Sequence, residues 1–443
     1  MKIGSLRNLI SNIATVGRQA FGGKSEHCGA IGDMCKRLLE IRGQASAISL
    51  AEAVIDAYAV LDDAERLDFF HVLLDDFLPD AVILEDAIEI YRANPSPDAH
   101  MKLVKAADSP RQTLFRAINM APEGTAAIVT MREDLNGLLR QHPALLPVDS
   151  DIVYLLRLWF NRGFLHIERI DWHTPASILE KLIAYEAVHE IKGWNDLRRR
   201  LASDRRFFAF FHPALPDEPL VFVEVALMQG LTGSIDSVLQ QDQPNEDHCG
   251  TPDTAIFYSI SNCQPGLKGV SFGDFLIKHV TDELAAELPD IKTFSTLSPI
   301  PGFRRWLELA AKEEPGDLPL TDFDRAQLDR LSNPDWHLDG TVAADLEPVL
   351  LTLCAHYFLR VVRNGEPVDP VARFHLRNGA RLERINWLGD CSPRGIGQSA
   401  GMLVNYVYDP QTVTRNHEAY VNDGEVICSA TVQQLLKARV IAA

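Results

Sequence analysis

Three polar segments carry the residue types that could do chemistry. The first runs Ser259-Ile-Ser-Asn-Cys-Gln-Pro-Gly-Leu-Lys-Gly-Val-Ser-Phe-Gly-Asp-Phe275 and reads as strand, glycine-bearing turn and helix start. Gly266, Gly269 and Gly273 let the backbone turn close to a ligand. The free N–H groups that open the next helix suit a phosphate, and Lys268 adds positive charge. The plain alternative is a turn without a ligand, since neither GxxxxGK[ST] nor GxGxxG is present. The second segment is Thr293-Phe-Ser-Thr-Leu-Ser-Pro-Ile-Pro-Gly-Phe303. A strand should end at Leu297, because two prolines forbid its continuation. Ser298 sits at that stop, where its hydroxyl either caps the turn or is presented for chemistry. The third runs from Phe374-His375 through Asn378-Gly379 to Trp387, then Asp390 to Ser399 and Asn405-Tyr406. His375 there is either a hydrogen-bonded structural residue or a proton-transfer group.

Other chemistries find no support. GxSxG is absent, so Ser298 is not in a nucleophile elbow. HExxH is absent, and His27-Cys28, Cys35 and His248-Cys249 lack partner pairs at metal-ligand spacing. Seven scattered cysteines without CxxC argue for a reducing compartment rather than a disulfide scaffold. Arg198 to Arg200 and Arg205-Arg206 read as a solvated helix face.

The elements that must position these segments change in kind along the chain. From Ala51 to Phe77, Val54, Ile55, Tyr58, Leu61, Leu67, Phe70, Leu73 and Leu74 keep a helical rhythm. Asp62 and Glu65 form a capping-box pattern that splits this stretch in two. Ser109-Pro110 opens a further helix, and Pro122-Glu-Gly another. Residues 1–145 therefore read as an all-α bundle concerned with packing and self-association. After Pro143 and Pro147 strands appear. Gly163 to Ile170 alternates, Phe207–Phe211 and Leu220–Leu227 suggest a hairpin, and Thr254–Ser261 and Ile291–Leu297 are further strands. Gln240–Asp253 is polar and loop-like. Residues 146–443 read as a mixed α/β domain, with strands in its first half and helices between and after them.

Length and charge agree with two domains. The chain has 443 residues, beyond the ~250–300 that one core usually spans. With 43 basic and 61 acidic residues its formal charge is −18, which excludes a global electrostatic grip on nucleic acid. An anionic ligand would need a local pocket that opposes this field. The apolar runs Leu220–Met228 and Val349–Val362 fall short of the ~18 residues of a membrane span. Ile3, Leu6, Ile10 and Ile13 with Lys2, Arg7, Arg18 and Lys24 read as an amphipathic arm, or alternatively as a transit peptide.

At AIFYSIS, GLKGVSFGDFLIK, LSPIPGF and FHLRNGARLERINW the sequence resembles the malonyl-CoA decarboxylase family. The likeness extends upstream through GFLHIERIDWHTP, EAVH and FFHPALPDEPLVFVEVAL, over roughly residues 155–410. It implies a helical N-terminal domain, a GNAT-like catalytic domain and a homotetramer. By the same resemblance, Ser298 and His375 are catalytic. Lys268, Gly269, Val270, Ser271, Phe272, Gly273 and Asp274 form the CoA-binding turn, with Ser259 and Asn378 as supporting candidates. Ser271 stands where the animal members carry an acid. The implied reaction turns malonyl-CoA into acetyl-CoA and carbon dioxide. The thioester carbonyl is its own electron sink, so neither metal nor biotin is needed. The alternatives are an acyl-CoA N-acyltransferase and a non-catalytic malonyl-CoA-binding protein. A cytoplasmic setting is expected, with the mitochondrial matrix as the alternative.

Overall fold

A computed structural model describes residues 24–239, 251–270, 276–310 and 322–437. The N-terminal arm, His248-Cys249 and most of the loop Gln240–Asp253 lie outside the described residues, as do Ser271, Phe272, Gly273 and Asp274. The chain divides into two compact units. One comprises residues 1–165, 212–216 and 264–271, the other 166–211, 217–263 and 272–443.

The first unit is helical. Its helices are Lys24–Glu40, Gln44–Ala59, Asp63–Asp76, Ala81–Ala93, Pro97–Ala107, Pro110–Asn119, Gly124–Leu138 and Leu146–Trp159. Local chemistry sets their starts. The Asp62 carboxylate accepts from the Ala64 and Glu65 N–H groups, and Glu65 reaches back to the Asp62 N–H. Pro110 follows Ser109 at the first helical position, as the sequence predicts. Val54, Tyr58, Leu61, Phe70 and Leu73 are buried as the periodicity predicts, Ile55, Leu67 and Leu74 are half-buried, and Phe69, Leu114, Phe115, Ile128 and Leu135 complete the core. The run of helices passes the expected boundary at 145, through Leu146–Trp159.

The second unit is built on an eight-stranded mixed sheet, so a helical region followed by a mixed α/β region is the observed architecture. The strands are β1 (His166–Arg169), β2 (Arg205–Phe211), β3 (Val221–Met228), β4 (Thr254–Asn262), β5 (Thr293–Thr296) and β6 (Ser298–Pro299). A small separate hairpin, β7 (Val362–Arg363) with β8 (Glu366–Pro367), precedes β9 (Arg381–Asn386) and β10 (Leu403–Tyr408). The sheet order is β1-β2-β3-β4-β5-β10-β6, with β9 on β10. Among the described strands β4 and β5 pair parallel and the other pairs are antiparallel. The predicted hairpin is β2–β3. The expectation that strands fill only the first half of the domain fails. β9 and β10 come late in the chain, and β10 lies inside the sheet.

Two further expectations need correction. The arginine runs are a solvated face only in part: Arg198 is exposed and Arg199 half-buried, while Arg200, Arg205 and Arg206 are buried. Arg200 is buried and pairs with the fully buried Glu224 at 3.1 Å. Arg205 donates to the Val238 carbonyl, and Arg206 to Glu287. Arg205 and Arg206 belong to β2, where each charge is met by an acceptor supplied from elsewhere in the chain. Most of the run Val349–Val362 also belongs to a longer element, which ends at Arg360. Helix Gly340–Arg360 has 21 residues and is long and apolar enough to cross a membrane. Half of its most apolar window is buried inside the protein, and it contains Pro348. Length and composition are shared by buried core helices and spans.

Candidate active site

The strand ending at Thr296 and the short strand at Ser298 are one line of chain. Ser295 faces Val407 and Ser298 faces Val404 across β10, a single unbroken register. Between them side chains replace the backbone ladder. The Tyr406 N–H donates to Thr296 Oγ1 at 3.2 Å, and Asn405 Nδ2 donates to the Thr296 carbonyl at 2.8 Å. Side chains alternate along a strand, and directly opposed residues share a face. Thr296, Ser298, Tyr406 and Tyr408 therefore point to the same side.

His375 meets them there. It sits in helix Pro370–Arg377, whose first turn is capped by Asp369. The Asp369 carboxylate accepts from the Val371 and Ala372 N–H groups, both at 2.9 Å. It also accepts from the Gly302 N–H, at the end of the Ser298-Pro-Ile-Pro-Gly turn. One carboxylate thus ties the segment carrying Ser298 to the helix carrying His375. A Cβ on Gly302 would lie 2.4 Å from the Tyr357 hydroxyl, so a larger residue there would displace that ring. Burial pushes the Asp369 carboxyl up to about 6, against the pull of those N–H groups.

Ser298 Oγ lies 3.1 Å from His375 Nε2, and His375 Nδ1 lies 2.7 Å from the Tyr408 hydroxyl. Ser298 and His375 are 5% and 3% exposed, so bulk water contributes little to this chain. Ser298 donates its single proton to Thr296 Oγ1 at 2.9 Å. It must then accept from His375, which assigns the ring hydrogen to Nε2. Nδ1 of the neutral ring is left to accept from Tyr408. Desolvation lowers the His375 pKa to about 3, so the ring is neutral at pH 7. The Tyr406 ring stacks on it at 4.6 Å and closes one face. The result is a fixed, dry hydrogen-bond donor beside a hydroxyl. Such a pair can stabilise charge that develops on a carbonyl oxygen.

The remaining predicted residues lie elsewhere. Lys268, Gly269 and Val270 belong to the turn that folds with the helical unit. Ser259, in β4, gives its hydroxyl to Glu186, 2.8 Å from both carboxylate oxygens. Asn378 closes the helix of His375 by bonding the Phe374 carbonyl. Reasoning from sequence missed Thr296, Tyr408 and Asp369. Asp369-Pro370 repeats the cap-then-proline signal that was read at Ser109-Pro110. Tyr408 shares a strand face with Tyr406, two residues before it.

Comparison with known proteins covers most of the chain. Residues 163–442 match the family described as malonyl-CoA decarboxylase C-terminal domain, and residues 77–160 match the malonyl-CoA decarboxylase N-terminal domain. A mitochondrial malonyl-CoA decarboxylase from Anser anser anser is 35% identical over 399 residues, spanning 83% of this chain and 79% of that one. The crystal structure of malonyl-CoA decarboxylase from Rhodopseudomonas palustris superposes with a TM-score of 0.88 at 46% identity, over 92% of this chain and 99% of that one. The structure from Agrobacterium vitis gives 0.87 at 48% identity, with the same coverage.

Proposed function

From the premise that the chain belongs to the malonyl-CoA decarboxylase family, we propose that it converts malonyl-CoA to acetyl-CoA and carbon dioxide without a metal or organic cofactor. The observation that carries this reading is the buried bond between Ser298 and His375, backed by Tyr408. Malonyl-CoA holds a carboxylate β to a thioester carbonyl. Loss of carbon dioxide moves the electron pair of the broken C–C bond onto the thioester oxygen as an enolate. A preorganised donor at that oxygen is worth about 3–4 kcal/mol in comparable sites. His375 is suited to be that donor. A neutral imidazole polarises a carbonyl through its N–H without first surrendering a proton. With substrate bound, His375 Nε2–H turns from Ser298 to the thioester oxygen, and the Ser298 hydroxyl turns its proton from Thr296 to hold the departing carboxylate by hydrogen bonding. The enolate carbon then takes one proton, so each turnover consumes one proton from solvent. The turn from Lys268 to Asp274 binds the CoA phosphates.

We further propose a homotetramer that uses the helical unit. Val82, Ile83, Met101 and Val104, on helices Ala81–Ala93 and Pro97–Ala107, are more than half exposed. Apolar side chains clustered on a helix pair mark an interaction surface. The expected compartment is the cytoplasm, with the mitochondrial matrix as the alternative set by the relatives named mitochondrial.

Mass spectrometry of malonyl-CoA incubated with the protein tests the function. Equimolar acetyl-CoA and carbon dioxide in the presence of a chelator support it. Untouched substrate, or an acylated amine in place of acetyl-CoA, contradicts it. Activity that disappears with the chelator contradicts the cofactor-free mechanism.

A further inference from the structure

The turn expected to bind CoA is gripped from behind by the helical unit. Among the described residues, Gln264 to Val270 fold with residues 24–165. Gly266 packs so closely on helix Gly124–Leu138 that a Cβ there would lie 2.0 Å from the Val129 carbonyl oxygen. Arg132, on that helix, is 4% exposed. Its Nη1 donates to the Gly266 carbonyl at 2.6 Å and to the Lys268 carbonyl at 2.8 Å. Its Nε donates to Asp149 at 2.8 Å. Arg157, on helix Leu146–Trp159, donates to the Gly269 carbonyl at 3.3 Å.

This grip decides which way the turn faces. All peptide bonds here are trans, so the C=O and N–H of one peptide group point in opposite directions. Holding the Lys268 carbonyl toward Arg132 aims the Gly269 N–H the other way. Among the described residues that N–H has no partner, and Lys268 and Gly269 are exposed. Gly269 has φ +78°, a conformation that glycine adopts without strain. Arg157 is exposed beside Lys268, so two cations flank an outward N–H in a chain of net charge −18.

We propose that the helical unit is part of the CoA phosphate site. Arg132 is a positioning residue that sets the turn, and Arg157 is a binding residue that, with Lys268, contacts phosphate oxygens. This rests on the reading that the turn binds CoA. The sequence expectation of a helical region concerned only with assembly is thereby widened.

The test compares malonyl-CoA with malonyl-pantetheine, which keeps the thioester and lacks every phosphate. Arg132→Lys keeps the charge but loses the rigid planar guanidinium whose Nε bonds Asp149 while Nη1 holds both carbonyls, and Arg157→Gln removes a charge at an exposed position. For each variant the ratio of kcat/KM on malonyl-CoA to kcat/KM on malonyl-pantetheine should fall about tenfold, carried by KM, as expected for loss of a charge-assisted contact. The Kd for CoA should rise in parallel. A ratio equal to wild type, whether both substrates suffer together or neither does, overturns the proposal. Wild-type protein that decarboxylates neither substrate refutes the decarboxylase reading instead. The Kd for CoA then still decides the role of the two arginines.

Discussion

The Ser298–His375 pair and the turn at Lys268 solve opposite problems. The pair is dry, and its polar atoms are engaged inward. Ser298 is bonded to Thr296 and His375, and His375 to Tyr408. The turn is exposed on one side and held on the other, with its carbonyls taken by Arg132 and Arg157 and an N–H left outward. In the first region the protein removes water so that one hydrogen bond acts at low dielectric. In the second it keeps water and supplies charge, as the proposed reading requires of a site where a polyanion arrives from solvent against a net field of −18. Substitutions in the pair should therefore act on kcat, and substitutions at the turn on KM.

The largest expected effect is at the pair. His375→Ala should lower kcat by about 10²- to 10⁴-fold, the span over which positioned proton-transfer groups act, and Ser298→Ala by about 10²-fold. Thermal melts near wild type would assign the loss to chemistry. Turnover close to wild type in either variant would remove that residue from the mechanism. Lys268→Glu should raise KM for malonyl-CoA by about tenfold and leave kcat within twofold, by reversing one charge at the anion site. A fall in kcat with unchanged KM would break the division between the regions. Tyr408→Phe leaves the His375 Nδ1 without its donor. It should lower kcat severalfold, on the order of one hydrogen bond, with KM unchanged.

A subtler effect concerns acid stability. His375 has a folded pKa of about 3 and titrates near 6.5 when unfolded. Between those values the unfolded chain binds the extra proton, so stability falls as pH drops, by about 1.4 kcal/mol per pH unit. Asp369 acts in the opposite sense. Its folded pKa of about 6 lies above its ordinary 3.8, so it contributes stability at low pH that is lost as pH rises through 6. The two offset each other between about pH 4 and 6. Asp369→Asn keeps an acceptor for the helix cap and deletes the opposing titration. Denaturant unfolding across that range should show a steeper acid loss in the variant than in wild type. An unchanged or shallower slope would place the Asp369 titration elsewhere.

Much of this was legible from local pattern. The capping box at Asp62, the proline that opens a helix after Ser109 and the β2–β3 hairpin are short-range signals, and the structure contains them, although the Ser109 hydroxyl bonds Asp151 instead of capping the helix. Ser298 stood out because two prolines stop a strand beside it, and His375 through the family resemblance of FHLRNGA. What local pattern could not show was pairing across sequence. Arg200 looked like part of a solvated run because its partner, Glu224, lies 24 residues away on β3. Tyr408 carried no signal of its own, and only β10 sets it facing Phe294, on the side of Ser298. Arg132 stands 134 residues before the glycine whose carbonyl it holds, and no spacing rule spans that gap. The pair and its neighbours are read from alternation only once the register is known.

The most direct measurement is the turnover of malonyl-CoA by metal-stripped wild-type protein beside His375→Ala, with carbon dioxide and acetyl-CoA quantified together. Equal amounts of both products from the wild type, and a loss of about 10²-fold or more in the folded variant, is the predicted result. Wild-type turnover that requires added metal, or a variant that keeps near wild-type turnover, would contradict the account.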